Sequence, residues 1–293
     1  MSYDLVIGDR AYSSWSLRGW LLFEAFGIPV RLHTARLYSD ELPRLLASYA
    51  PSRTAPTARM PEGTVVSESL AIAEELASRH PEAGHWPKDP AHRATARMLA
   101  SEMHAGFGAL RDYCPMNLRV SYQDAQPPEA VLKDLARLEV IWDHARRVSG
   151  GRGPWLFGDY SAADVFFAPV AARIAGYNLP VGAAASAYVN AHLAHPSFRR
   201  WRAMGLVDGA DQQVYRRDWP RRDWPGPVPL PAKAVTGTEA ENAACPYSGK
   251  PVTHVLELAG RRLGFCNAFC RDKTAADPEA WPAFMPLLRG VAA

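Results

Sequence analysis

Apolar residues recur along this chain with two different periods, and the change between them divides the sequence. Tyr3-Asp4-Leu5-Val6-Ile7-Gly8 reads as a short buried strand ended by glycine. Ser13 to Phe26 carries Leu17, Leu21, Leu22 and Ala25 at helical spacing, and Gly27 stops it. Val30-Arg31-Leu32-His33 alternates as a second strand. Pro56 then precedes a hairpin pattern, with Glu62-Gly63 as its turn and Thr64-Val65-Val66 returning. From Glu68 to Ser78, Leu70, Ile72, Ala73 and Leu76 mark the inner face of another helix. Residues 1–80 are therefore expected to form a small α/β layer.

From Pro90 to about Ala203 the period is helical throughout. Ala91–Leu110 and Pro128–Val148 are long amphipathic stretches, the second with Val131, Leu135, Leu138 and Trp142 on one face. Ser161-Ala162-Ala163-Asp164 has the form of a capping box ahead of Val165-Phe166-Phe167. An all-helical domain is expected over 90–206. Beyond it, Arg216-Arg217-Asp218-Trp219-Pro220 repeats at once as Arg221-Arg222-Asp223-Trp224-Pro225, and Pro227, Pro229 and Pro231 follow. That proline density predicts an extended linker over 207–242. Its tryptophans either dock on the linker's own domain or serve a partner's aromatic groove. Residues 243–293 read as a further module. It has a tight turn at Cys245-Pro246-Tyr247-Ser248-Gly249, a hairpin from Val252–Leu258 and Arg261–Phe265 around Ala259-Gly260, and a helix starting near Asn267.

Composition narrows the class without naming it. The chain has 293 residues, with 48% hydrophobic and 22% charged, which excludes a largely disordered protein. A net charge of +3, from 33 basic and 30 acidic residues, is too balanced to imply a nucleic-acid partner. Four cysteines make no disulfide framework, so a reducing compartment is expected. Asp4, Asp9 and Arg10 leave no apolar run for a signal peptide, and Ile174–Pro196 is too interrupted to span a bilayer. A cytoplasmic protein without membrane contact is the expectation.

Chemistry first suggests itself at Ala11-Tyr12-Ser13-Ser14-Trp15-Ser16-Leu17-Arg18, where three serines crowd the start of the first helix. A serine there caps orphan amides for about 1 kcal/mol. The same hydroxyls and amides also form a site for an anion. If that anion is a thiolate, the parts become catalytic. A thiol of pKa ~8.5 is only ~3% ionised at neutral pH, and a shift of ~2 units, worth ~2.7 kcal/mol, makes it mostly thiolate. Thr54-Ala55-Pro56 precedes a strand, where a cis proline would turn the Ala55 backbone towards a peptide-like ligand. Glu68-Ser69 opens the next helix and places amides and a hydroxyl for a carboxylate.

In this order and spacing, residues 3–205 resemble the glutathione transferase superfamily, a thioredoxin-like domain followed by an all-helical one. The serine motif is most similar to the zeta class, which includes maleylacetoacetate isomerases, with Trp15 standing where that pattern has cysteine. The resemblance implies a glutathione site. Ser13 or Ser14 would hydrogen-bond the sulfur, the Ala55 backbone beside Pro56 would pair with the cysteinyl unit, and Glu68 with Ser69 would hold the γ-glutamyl end. Arg53 is a candidate for the glycyl carboxylate. Trp15 would wall the electrophile site. His104, Phe107 and Arg111, spaced three or four apart on one helix face, are substrate-site candidates or interhelix packing residues. A homodimer is also implied.

Near the C-terminus, Cys245, Cys266 and Cys270 have the spacing of a thiolate cluster for zinc or another thiophilic metal. Residues 243–286 resemble the YHS and TRASH family of small treble-clef-like metal-binding modules. Ser248 stands where many such modules have a further cysteine, and His254 is a candidate fourth ligand. Without a metal, Phe265, Phe269 and Trp281 would have to hold the fold, and Cys114 is expected to be a buried structural thiol. The resulting expectation is a transferase that conjugates glutathione to small apolar or aromatic electrophiles. The alternatives are a non-catalytic glutathione- and metal-sensing adaptor and a glutathione-dependent isomerase.

Overall fold

The computed structural model describes residues 2–289. The chain forms two compact units, Met1–Leu193 with Asp211–Pro225, and Ala194–Ala210 with Gly226–Ala293. This division differs from a linker over 207–242 between domains ending at 206 and starting at 243. Backbone pairing is the reason. Arg221–Arg222 adds as a strand to Ser121–Tyr122, and Ala232–Val235 pairs with residues 255–258. Trp219 lies against Tyr113, Tyr122 and Tyr177. The tryptophan-bearing segment is thus part of the first unit's fold.

The first unit begins β1 (Tyr3–Ile7), α1 (Ser14–Glu24), β2 (Val30–Thr34) and α2 (Glu41–Leu46), then β3 (Thr57–Arg59), β4 (Val65–Ser67) and α3 (Ser69–Arg79). The sheet order is β2-β1-β3-β4, with β1 parallel to β2 and the other pairs antiparallel. This is the thioredoxin-like arrangement. All five residues of β1 are buried, because helices and neighbouring strands cover it on every side.

Helices follow: α4 (Pro90–Ala105), α5 (Gly108–Tyr113), the short strand β5 (Ser121–Tyr122), α6 (Glu129–Ser149), α7 (Ala162–Gly176) and α8 (Ala183–Ala194). The expected single helix over Ala91–Leu110 is broken. Gly106 lies so close to the Glu102 carbonyl that a Cβ would sit 2.8 Å from it, and Phe107 takes a left-handed φ of 60°. Apolar period alone could not reveal that interruption. Helix α7 is buried along its entire length and packs against α1 and α4. Its start is fixed by Asp164, whose carboxylate accepts bonds from the Ser161 amide and hydroxyl at 2.9 Å, and from Tyr188 at 2.8 Å. No helix among the described residues is long and apolar enough to cross a membrane.

The strand β6 (Arg221–Arg222) completes that unit. The second unit contains α9 (Pro196–Val207), β7 (Ala232–Val235), β8 (His254–Leu258), β9 (Arg261–Phe265), α10 (Ala268–Ala276) and α11 (Met285–Leu288). Its sheet is β7-β8-β9, all antiparallel, and the β8–β9 turn uses Ala259 and Gly260, both at positive φ. Helix α9 packs against α10, where Arg199 grips the Asp277 carboxylate with two hydrogen bonds of 2.8 and 2.7 Å. Phe265, Trp281 and Phe284 lie in the core. Phe269, however, is 37% exposed, because it follows the N-cap of α10 on the outward side.

Candidate active site

A cleft of about 870 Å³ opens in the first unit at the N-terminus of α1. Ser13, Ser14, Trp15, Arg53, Ala55, Glu68, His104 and Arg111 line it; Pro56, Ser69 and Phe107 do not. The two serines are distinguished by where their hydrogens go. Ser13 is the N-cap of α1: its Oγ accepts from the Ser16 amide at 3.3 Å and donates to Ser16 Oγ at 2.7 Å. Both functions of that hydroxyl are spent inside the fold. Ser14 Oγ accepts from Arg173 at 3.4 Å, which leaves its own hydrogen free for the cleft.

The glutathione-site candidates group around α1 and α3. The Ala55–Pro56 peptide is cis, and Thr54 and Ala55 face the cleft beside Arg53. Pro56 is buried against α1, where Gly19 lets it approach: a Cβ on Gly19 would lie 2.5 Å from the proline ring. That contact ties the loop to the helix carrying the serines. Glu68 precedes α3 with a φ of 70°, and its carboxylate stands 3.7 Å from His104 Nε2. Ser69 is fully buried, and its hydroxyl has no hydrogen-bond partner.

Of the electrophile-site candidates, Trp15 has two guanidinium groups near its ring, Arg111 at 5.1 Å and Arg18 at 5.8 Å. Arg111 donates to the His104 carbonyl at 3.1 Å and also to that of Met103, so it closes the end of α4. Burial, reinforced by the charges of Arg18 and Arg111 and opposed by Glu68, lowers the His104 pKa and keeps the ring neutral at pH 7. Phe107 lies in the break between α4 and α5, which divides His104 from Arg111, and its ring is buried outside the cleft lining. Two contributors escaped sequence reasoning. Arg173, on α7, was hidden in an otherwise apolar helix. Tyr215 lies in the segment read as linker; it stacks on Tyr12 at 4.8 Å, and its segment is tied down by a Tyr12–Asp211 hydrogen bond of 2.9 Å. The pairing of Tyr12 with a distant aromatic left no local trace.

In the second unit, the sulfurs of Cys245, Cys266 and Cys270 lie within 4.8 Å of one another. Cys266 Sγ accepts from the Ser248 hydroxyl at 3.2 Å and from the Asn267 amide at 3.3 Å. Burial raises the Cys245 thiol, but the amides of Cys266 and Tyr247 outweigh it and bring the value down to about 7. Burial pushes Cys270 up to about 12. Three converging thiols are a donor set that suits a thiophilic metal. His254 is outside the cluster and bonds Thr253 at 2.9 Å. Cys114 is fully buried, which drives its thiol up to about 12.

Residues 12–79 match the family described as glutathione S-transferase, N-terminal domain. A probable maleylacetoacetate isomerase from Caenorhabditis elegans is 27% identical over 175 residues, covering 58% of this chain and 78% of that protein. Among solved structures, a glutathione transferase homologue from Burkholderia gl BGR1, with bound glutathione, superposes with a TM-score of 0.52 at 24% identity, over 70% of this chain and 98% of that one. Glutathione transferase Omega 3C from Trametes versicolor gives 0.53 at 22% identity, over 74% and 92%. Residues 12–79 thus match the glutathione S-transferase N-terminal domain, and over about 70% of its length the chain shares the fold of these solved transferases.

Proposed function

We propose that this chain conjugates glutathione to small apolar or aromatic electrophiles, with Ser14 as the partner of the sulfur. The observation that carries the reading is the Ser14 hydroxyl at the first turn of α1, facing the cleft with its hydrogen unengaged and a guanidinium behind it. Such a donor, together with the amides of the helix start, stabilises a thiolate more than a thiol and so lowers the sulfur's pKa. The thiol proton leaves to water through the open cleft. The thiolate pair then forms the C–S bond while the electrophile's leaving group departs with its own bonding pair. Ala55, beside cis-Pro56, would pair with the cysteinyl unit. Glu68 and Ser69 would hold the γ-glutamyl end, and Arg53 the glycyl carboxylate. Trp15, Met116 and Tyr215 supply an apolar wall, and Arg111 supplies a cation beside it.

The test is a calorimetric glutathione titration of the intact chain and of Ser13→Ala and Ser14→Ala, followed by ultraviolet titration of the bound thiol. Binding with a thiol pKa well below ~8.5, raised again in Ser14→Ala alone, is the expected result. Absence of binding, or a bound thiol with its free value, would overturn the reading. The nematode relative's name supports a second use of the same thiolate, addition to a cis double bond, rotation and elimination. Cis–trans isomerisation of a maleyl keto acid, with glutathione recovered, would establish it.

For the second unit we infer a thiophilic metal, zinc or a softer ion, held by Cys245, Cys266 and Cys270. The convergence of the three sulfurs supports this. A stoichiometric metal signal lost in Cys266→Ser would bear it out, and metal-free protein that takes up none would refute it. A cytoplasmic homodimer is the assembly that the family resemblance supports, and light scattering of the purified chain reads the oligomeric state.

A further inference from the structure

Of the cations around the cleft, Arg111 is partly offset by Asp112 and Asp134, but Arg173 and Arg18 face no carboxylate. Arg173 is 5% exposed and Arg18 is 2% exposed. Neither these two nor the half-buried Arg111 has an ion-pair partner among the described residues. The Arg173 guanidinium is held instead by neutral oxygens: the Cys114 carbonyl at 2.8 Å, the Pro169 carbonyl at 3.3 Å and Ser14 Oγ at 3.4 Å. The groups that face it are Arg111 from α5, Cys114 just after that helix, Tyr177 at the end of α7, and Tyr215. None is an acid ionised at neutral pH. Burial and the Arg111 charge bring the arginine down to about 10, so it stays protonated at pH 7. A buried cation held only by neutral oxygens is costly, and an arriving anion offsets that cost. The one place where negative charge can arrive is the cleft that Arg173 and Ser14 line together.

We propose that Arg173 is the positioning residue of the thiolate site: it donates to Ser14 Oγ, so that the serine hydrogen is left to point at the sulfur, and its charge favours the ionised sulfur over the neutral thiol. The inference rests on the glutathione reading above. No proton is transferred to either residue; Ser14 stays neutral, Arg173 stays charged, and the thiol proton goes to water. Arg173 belongs to α7, whose packing on α1 carries the charge from the helical layer to the start of the serine helix. The sulfur's ionisation would therefore be set from a residue 159 positions away in sequence.

The test uses the full chain. The bound glutathione thiol is titrated by ultraviolet absorbance in wild type, Arg173→Gln and Arg173→Lys, and S-methylglutathione, which cannot ionise, is titrated in parallel. In Arg173→Gln the bound thiol pKa is expected to rise by about one unit or more. Turnover at neutral pH should fall about tenfold and recover as pH rises, with the KM for glutathione little changed. Arg173→Lys should restore most of the shift. Affinity for S-methylglutathione should be the same in wild type and variants, because the peptide contacts are untouched. A wild-type thiol pKa in Arg173→Gln would overturn the proposal, as would an equal loss of S-methylglutathione affinity, which marks a merely structural role. If Arg173→Gln does not fold, Arg173→Met is the second neutral variant and is read in the same way. A wild-type chain that binds no glutathione would instead refute the transferase reading itself.

Discussion

Ser13 and Ser14 offer the same hydroxyl one position apart, and the fold gives them opposite duties. Ser13→Ala should remove the cap of α1 and cost about 1 kcal/mol of stability, read by thermal unfolding, while the bound thiol pKa stays low. Ser14→Ala should leave the melting temperature almost unchanged and reduce conjugation at neutral pH on the order of 10²-fold, read by steady-state kinetics. The serine cluster was legible because capping is a local pattern; the difference between the serines was not, because the Arg173 that bonds Ser14 lies 159 positions away. A half-buried histidine adds a pH dependence in the second unit. Burial, with the nearby Arg200 charge, lowers His195 from 6.5 to about 4. The folded state then binds fewer protons than the unfolded chain between those values, so stability present above pH 6.5 is lost as pH falls towards 4, by ~3 kcal/mol at most. Chemical denaturation of wild type against His195→Gln across that window checks it, with the variant's dependence expected to be flatter.

Helices set the cleft's shape through two close approaches that apolar period does not record. At Gly19 the ring of Pro56 occupies the space a Cβ would need. Gly19→Ala is expected to force α1 away from the 54–56 loop, costing about 1–3 kcal/mol and weakening glutathione binding, both measurable on one sample by unfolding and calorimetry. At Gly106 the chain leaves α4 and restarts as α5, which carries Arg111 back to the end of α4 and turns Phe107 into the core. A run of apolar residues reads through such a break because spacing describes a face and says nothing of how near a neighbouring carbonyl comes. The strands and helices of residues 3–79 other than α2, which was not read, were legible for the opposite reason. Their period changes are abrupt, and Gly27 and Gly63 mark a helix end and a turn in the sequence itself.

At the scale of the molecule, the proline- and tryptophan-rich segment was the least legible part, since proline density suggests an extended spacer while aromatic docking and strand addition depend on distant partners. Its Tyr215 walls the cleft, so Tyr215→Ala is expected to change the ranking of electrophiles by kcat/KM, up to about tenfold, with glutathione affinity unaltered in calorimetry. Cys266→Ser should abolish metal uptake by the second unit and leave conjugation in place. The interleaving of the two units has a consequence for how the chain is made and cut. Emerging from the ribosome, the first unit lacks Asp211–Pro225 until α9 has already been synthesised, and α9 waits for Gly226 onwards before its own unit is complete. An expression fragment ending at 206 would therefore carry a cleft without its Tyr215 wall and an α9 stripped of Asp277. One starting at 243 would lack the edge strand of its sheet. Clean dissection needs cuts at three boundaries, after 193, 210 and 225, and a splice within each unit.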